Sequence, residues 1–353
     1  MKSILFIEKV FLSREAKLPD GVELFNISLI KDLAAMGYAV TLPACAAWRQ
    51  VIKEHTGTLP LEIVELPWNS SGSLGGVLAL KKLRTRRFDL LLLGNVGDNL
   101  IPIITSLRWM RAAGQIAVIA HREPKARFIR SLRRRPVAVL AVNKHIAACF
   151  AQGKFTPMMT GYGLAQSELF HPAVSGSAAR KSRVDFCVVG RLERKWKGAD
   201  TAAAAFLKLP YGIKRNCRLH FAGFASPPAF FDPDIVTYKW LPHEQMGDFL
   251  RRMDVMLVPS RDEVVTQETF SQAAVQGMLT GLPLIASNLP VFTEKLDRGG
   301  GLIFDDVDGL TKAMGRLAED PQLRRKMGEQ GRQTARERYV WNTRKFVDEI
   351  MRP

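Results

Sequence analysis

Arg191 and Lys197 stand six residues apart in the run GRLERKWKG, after the apolar segment Phe186 to Val189 and before an alanine-rich one from Ala199 to Leu207. A short β-branched run followed by a long alanine-rich one reads as strand, loop and helix. Two cations in such a loop can neutralise a diphosphate and stabilise charge that develops on a departing phosphate. Arg194 and Lys195 lie in the same loop as alternative cations. Glu268 precedes a segment, Thr269 to Thr280, in which Phe270, Ala273, Ala274, Gly277 and Met278 recur at helical spacing. A helix start presents unpaired N–H groups, here those of Thr269, Phe270 and Ser271, and a carboxylate beside them can grip the hydroxyls of a sugar ring. The plainer reading makes Glu268 an ordinary first-turn acid that complements the helix dipole. His121 directly follows the apolar run QIAVIA. A lone histidine there is either structural or placed at the carboxyl end of a strand, where open α/β sheets bind ligands.

The elements that must hold these side chains alternate. Ile4 to Ile7 reads as a strand and Phe11 to Asp20 as a loop. Val22, Phe25, Leu29, Leu33 and Met36 line one face of a helix that Gly37 ends, and Val40 to Leu42 is the next strand. Strands follow at Leu61 to Val64, Leu90 to Leu93 and Ile116 to Ala120, with helices around Leu74 to Leu83 and Ile101 to Ala112. Asn95 to Asn99 fall at the carboxyl end of the Leu90 strand. A second series runs through Phe186 to Val189, His220 to Gly223, Ile235 to Tyr238, Val255 to Val258 and Leu284 to Ala286, with helices from Leu310 to Arg338 and from Trp341 to Met351. Strands alternating with helices predict parallel sheets.

At 353 residues the length predicts about two domains. Cys45, Cys149, Cys187 and Cys217 are scattered without a C-x-x-C pair, which fits small core residues in a reducing compartment and excludes a disulfide frame. No metal-ligand spacing is present. The start, MKSILFIEKV, is too short an apolar run for a signal peptide, and no window is long enough to span a membrane. The expected location is therefore cytoplasmic. Of the net +17, a share of +11 falls between Lys81 and Arg135, where three Lys and eleven Arg face three acids. Such a field implies an anionic partner. KARFIRSLRRR, Lys125 to Arg135, reads as a short basic amphipathic helix suited to an anionic membrane surface, or else as a solvated basic face. Aromatic stacking residues are sparse there, which argues against nucleic acid.

Glu268-Thr-Phe-Ser, Gln276-Gly-Met-Leu-Thr-Gly281-Leu-Pro283 and the apolar strand after them resemble the signature of the retaining GT-B glycosyltransferases of family 4. Gly190-Arg191-Leu192 with Lys197-Gly198 resembles the same family's phosphate loop. The resemblance covers nearly the whole chain and implies a GT-B fold of two Rossmann-like α/β domains facing across a cleft. Residues 1–170 would form the acceptor domain and 171–340 the donor domain, with 341–353 crossing back to the first. It implies that Arg191 and Lys197 hold the diphosphate, that Glu268 and the N–H groups of Thr269, Phe270 and Ser271 hold the sugar, and that His121 faces donor sugar and phosphate. Gln276 occupies the place where the family usually has a second glutamate on the ribose. An amide there can still accept from one hydroxyl and donate to another, without charge-assisted strength. Asp20-Gly21 stands where the family has Gly-Gly, so Gly21 alone would admit the donor phosphates closely. Trp240-Leu241-Pro242 resembles the loop beside the nucleotide base, where Trp240 either stacks on the base or packs in the protein. Gly161-Tyr-Gly163-Leu and Leu169-Phe170-His-Pro172 resemble the interdomain junction, with Ala173 to Ser182 as linker.

The expected function is transfer of a hexose, with retained configuration, from a nucleotide diphosphate sugar to a glycan or lipid-linked acceptor. Surface polysaccharide or lipopolysaccharide synthesis is the expected setting. No cofactor and no metal are expected. A GT-B epimerase or phosphorylase would need further acid, base or cofactor groups. A different class, a non-catalytic sugar-nucleotide-binding scaffold at the membrane, is favoured by Gln276 and Asp20. A basic nucleic-acid binder would leave Glu268 and the GRL…KG run unexplained.

Overall fold

The computed structural model describes residues 2–15, 21–66, 72–109, 113–133, 137–159, 169–173, 183–226, 228, 232–262 and 268–351. The chain divides into two compact units, one of residues 1–164 with 341–353 and the other of 165–340. The Gly161 to Gly163 run and residues 174–182 lie outside the described residues, as do Asp20, Arg134 and Arg135.

Among the described residues the first unit carries seven strands: β1 Ser3–Ile7, β2 Ala39–Ala44, β3 Leu61–Glu65, β4 Phe88–Leu93, β5 Ala113–Ala120, β6 Val137–Ala141 and β7 Met158–Met159. Their spatial order is β3-β2-β1-β4-β5-β6-β7, with every pairing parallel. Ile4 to Ile7 and Leu90 to Leu93 are buried throughout, as expected of central parallel strands covered on both faces. The second unit carries β8 Val184–Val189, β9 Cys217–Phe224, β10 Ile235–Lys239, β11 Val255–Val258, β12 Leu284–Ser287 and β13 Gly301–Phe304. Its order is β10-β9-β8-β11-β12-β13, again all parallel. Phe186, Phe206, Phe221, Leu310 and Met314 meet in its core.

Both sheets reverse their direction of winding once, between β1 and β4 in the first and between β8 and β11 in the second. At such a point the loops leaving two adjacent strands part in opposite directions and leave a crevice at the carboxyl ends. The functional side chains are to be sought there.

The helix Thr343–Ile350 packs within the first unit against the helix Gly21–Ala35. Trp341 meets Phe25 edge-on with centroids 4.8 Å apart, and Thr343 Oγ1 donates to Asp32 Oδ2 at 2.6 Å. Helices Ala46–Thr56 and Lys144–Gln152 and strands β6, β7 and β13 are additions to the elements read from the sequence.

Two expectations are corrected. The basic helix spans Ala126–Leu132, and its apolar residues Phe128, Ile129 and Leu132 are buried in the protein. That face is already used for packing, so only the cationic side is available to an anionic surface, and Arg127 there pairs with Asp98 at 2.6 Å. The helix after β11 starts at Gln272 rather than Thr269, because Ser271 takes a left-handed backbone (φ 59°) that α-helix cannot continue.

Candidate active site

In the second unit the chain turns out of β8 at Gly190 (φ 143°). A side chain on Gly223, at the end of β9, would come 1.9 Å from the Gly190 carbonyl oxygen, so two bare backbones touch there. The loop makes one tight turn, Lys195–Lys197, and enters the helix Ala199–Leu207 through Gly198 (φ 70°). A Cβ on Gly198 would stand 1.9 Å from the carbonyl oxygen of Pro259, the first residue after β11. Glycine is required at that contact on both counts. The Arg261 N–H donates to the Trp196 carbonyl at 2.7 Å and ties the two loops together.

This closeness joins Lys197 to Glu268. Lys197 Nζ lies 2.5 Å from Glu268 Oε2, with side-chain exposures of 16% and 9%. Ser260 Oγ donates to the same oxygen at 3.3 Å, and the Ser271 N–H donates to Oε1 at 3.1 Å. Ser287 Oγ, at the end of β12, donates to the Ser260 carbonyl at 2.6 Å. The Lys197 ammonium also sits 4.3 Å from the Trp196 ring centroid. Arg191, half-buried, immediately follows Gly190 in the same loop. Arg191, Lys197 and Glu268 thus leave the loops on either side of the winding reversal of one sheet.

The arrangement corrects the expected role of the backbone around Glu268. Glu268 lies three residues before the helix cap Ser271, and it already accepts the Ser271 N–H. That donor therefore braces the carboxylate and is not offered to a sugar. The ring of Phe270 is buried, which leaves only its backbone for such a contact, while Thr269 is half-buried. Gln276 lies on the second turn of the helix Gln272–Thr280 and is 8% exposed. Trp240 follows β10 and is 50% exposed, so its ring is not a core residue, and Leu241 beside it is half-buried.

His121 belongs to the first unit, where it follows β5 and is buried with its ring edge-on to Phe25, centroids 5.6 Å apart. Gly21 opens the helix Gly21–Ala35. At this unit's own winding reversal lies Glu8, a residue the sequence reading passed over. Glu8 is fully buried, accepts from Asn26 Nδ2 at 2.7 Å and from the Val10 N–H at 3.2 Å, and burial raises its pKa to about 7. Asn26 Nδ2 also donates to the Gly94 carbonyl at 3.0 Å, linking β1 to β4. The signal in the sequence was a carboxylate directly after the strand SILFI. Among the described residues, Glu123, His145 and Cys149 bring possible metal-ligating atoms within 4.8 Å of one another. His145 already pairs with Glu123 there, and Arg122 and Lys125 adjoin Glu123 in the chain.

The model of the family described as glycosyl transferases group 1 matches residues 183–320. Over that segment the chain is similar to the group 1 glycosyl transferases. The MMP alpha-(1->4)-mannosyltransferase of Mycolicibacterium hassiacum is 33% identical over 115 residues, 31% of this chain. The match spans 27%, about a quarter, of that relative's length. Solved structures resemble the whole chain. HepE of Anabaena, in complex with UDP and glucose, has a TM-score of 0.72 at 16% identity, covering 99% of this chain and 98% of that one. A glycosyltransferase of Rickettsia africae has a TM-score of 0.75 at 15% identity, covering 99% of each chain. WaaG, a glycosyltransferase involved in lipopolysaccharide biosynthesis, has a TM-score of 0.65 at 14% identity, also covering 99% of each chain. The chain therefore has the GT-B fold.

Proposed function

We propose that this protein transfers a hexose from a nucleotide diphosphate sugar to a glycan or lipid-linked acceptor, with retained configuration. The observation that carries the reading is the Lys197–Glu268 pair, braced by Ser260 and Ser271 and adjoining Arg191, at the winding reversal of the second sheet. A buried ammonium and carboxylate hold each other in place before any ligand arrives. An incoming diphosphate competes for the ammonium, and the freed carboxylate oxygen then accepts hydroxyl groups of the sugar. Arg191 and Lys197 carry the charge that grows on the leaving phosphate, which needs no metal. The departing phosphate takes the acceptor's proton, so no enzymatic nucleophile is required. Gln276 holds the ribose, and Trp240 and Leu241 adjoin the base. HepE's complex with UDP and glucose supports a nucleotide sugar as donor.

Hydrolysis of a sugar nucleotide by the purified protein, lost in Arg191→Ala, tests this directly. A sugar-nucleotide-binding scaffold is the second reading, favoured by the amide Gln276 in place of an acid. It predicts binding of the donor without turnover. The basic stretch 81–135 would place the protein peripherally on an anionic membrane by charge alone. Reversing charge at Arg133, Arg134 and Arg135 is expected to release it from anionic vesicles while donor hydrolysis persists; unchanged vesicle binding refutes the membrane role.

A further inference from the structure

Lys295 ends the helix Pro290–Lys295 and is 2% exposed. Its ammonium lies 4.2 Å from the centroid of the Phe270 ring and 4.8 Å from that of Tyr339. The two rings meet edge-on at 5.9 Å, so the cation sits in an aromatic clasp. Phe270 is two residues from Glu268 and one from Ser271, whose N–H braces the Glu268 carboxylate. Tyr339 directly follows the helix Pro321–Arg338. The clasp therefore ties the donor-site segment 268–271 to two helices behind it. Burying a charge is unfavourable, and a methionine would fill the same space without that penalty. A charge kept there against its desolvation, in contact with the segment that carries Glu268, points to a role in the site and not in folding.

We propose that Lys295 is a positioning residue for donor binding: its ammonium, held by the rings of Phe270 and Tyr339, fixes segment 268–271 and so aims the Glu268 carboxylate. The proposal rests on the reading of Glu268 as the sugar-binding acid. Glu268 and Glu294 favour the charged form, the phenol of Tyr339 faces it, and Arg338 beyond is engaged with Asp297 at 2.8 Å. Burial nevertheless lowers the Lys295 pKa to about 8. The cation is present below that pH and lost above it, and the clasp loosens accordingly.

The test compares wild type, Lys295→Met and Lys295→Arg by amide hydrogen exchange and by binding of UDP-glucose and UDP. In Lys295→Met the Ser271 amide is expected to exchange at least tenfold faster although the protein melts no lower, with Lys295→Arg restoring protection. In wild type, protection of Ser271 is expected to fall as pH rises from 7 to 9. UDP-glucose is expected to bind Lys295→Met at least fivefold more weakly, with UDP unaffected. Unaltered Ser271 exchange in the methionine variant, or constant protection from pH 7 to 9 in wild type, overturns the proposal. If wild-type protein binds neither probe, a UDP donor is excluded, and the exchange data still judge the clasp independently.

Discussion

Lys197 and Glu268 form an ion pair shielded enough from water that neither partner can be removed freely. In Lys197→Ala the Glu268 carboxylate keeps Ser260 and Ser271 as donors but loses its counter-charge. Stranding a mostly buried carboxylate is expected to lower stability by about 3 kcal/mol, measured by urea unfolding. Adding Glu268→Gln to Lys197→Ala is expected to recover part of that loss, as contacting residues do not behave additively. Glu8 yields a pH-dependent prediction. Its proton is held more tightly in the folded protein, with a pKa of about 7 against an ordinary 4.5, so the stability it contributes is complete below pH 4.5 and is lost as pH rises through 7. The shift corresponds to at most about 3 kcal/mol. Unfolding measured at pH 5 and pH 8 is expected to show that decline in wild type and a flatter profile in Glu8→Gln.

At the scale of elements, the site depends on two loops close enough for backbone contact. Gly198 combines a left-handed φ of 70° with a Cβ position 1.9 Å from the Pro259 carbonyl oxygen. Gly198→Ala is therefore expected to destabilise the second unit by more than about 2 kcal/mol and to weaken nucleotide binding as the loops separate; both are readable by thermal melting with and without UDP. Much of this layer was legible in the sequence. Val255 to Val258 and Leu284 to Ala286 read as strands because a central parallel strand is one uninterrupted apolar run, and the GRL…KG spacing marked the loop between β8 and its helix. The start of the helix after β11 was not legible, since the periodicity of Phe270, Ala273 and Ala274 runs through Ser271 and a single left-handed residue leaves no trace in hydrophobic pattern. Lys295 was hidden for a related reason: a lysine at a helix end reads as a solvated cation complementing the dipole, and only the packed rings of Phe270 and Tyr339 show it to be inside.

For the whole molecule, the same device occurs twice, one winding reversal in each parallel sheet, with charged side chains at its carboxyl ends. The first unit is completed from the far end of the sequence. Trp341 packs on Phe25 and also on Phe346 with centroids 5.0 Å apart, and Phe25 in turn packs on His121. Trp341→Ala is expected to lower the stability of the first unit by about 2–3 kcal/mol, seen as an earlier melting transition with that of the second unit unmoved. Arg191 and Lys197 are proposed to bind the diphosphate of a nucleotide sugar whose hexose Glu268 holds. A panel of UDP-, GDP- and ADP-sugars, scored by thermal shift and by hydrolysis in wild type and Arg191→Ala, tests this most directly, because a ligand that binds only the folded state raises the melting temperature. One nucleotide class is expected to raise it and to be hydrolysed, with both effects lost in Arg191→Ala. No shift with any sugar nucleotide, or equal turnover in the variant, would contradict the account.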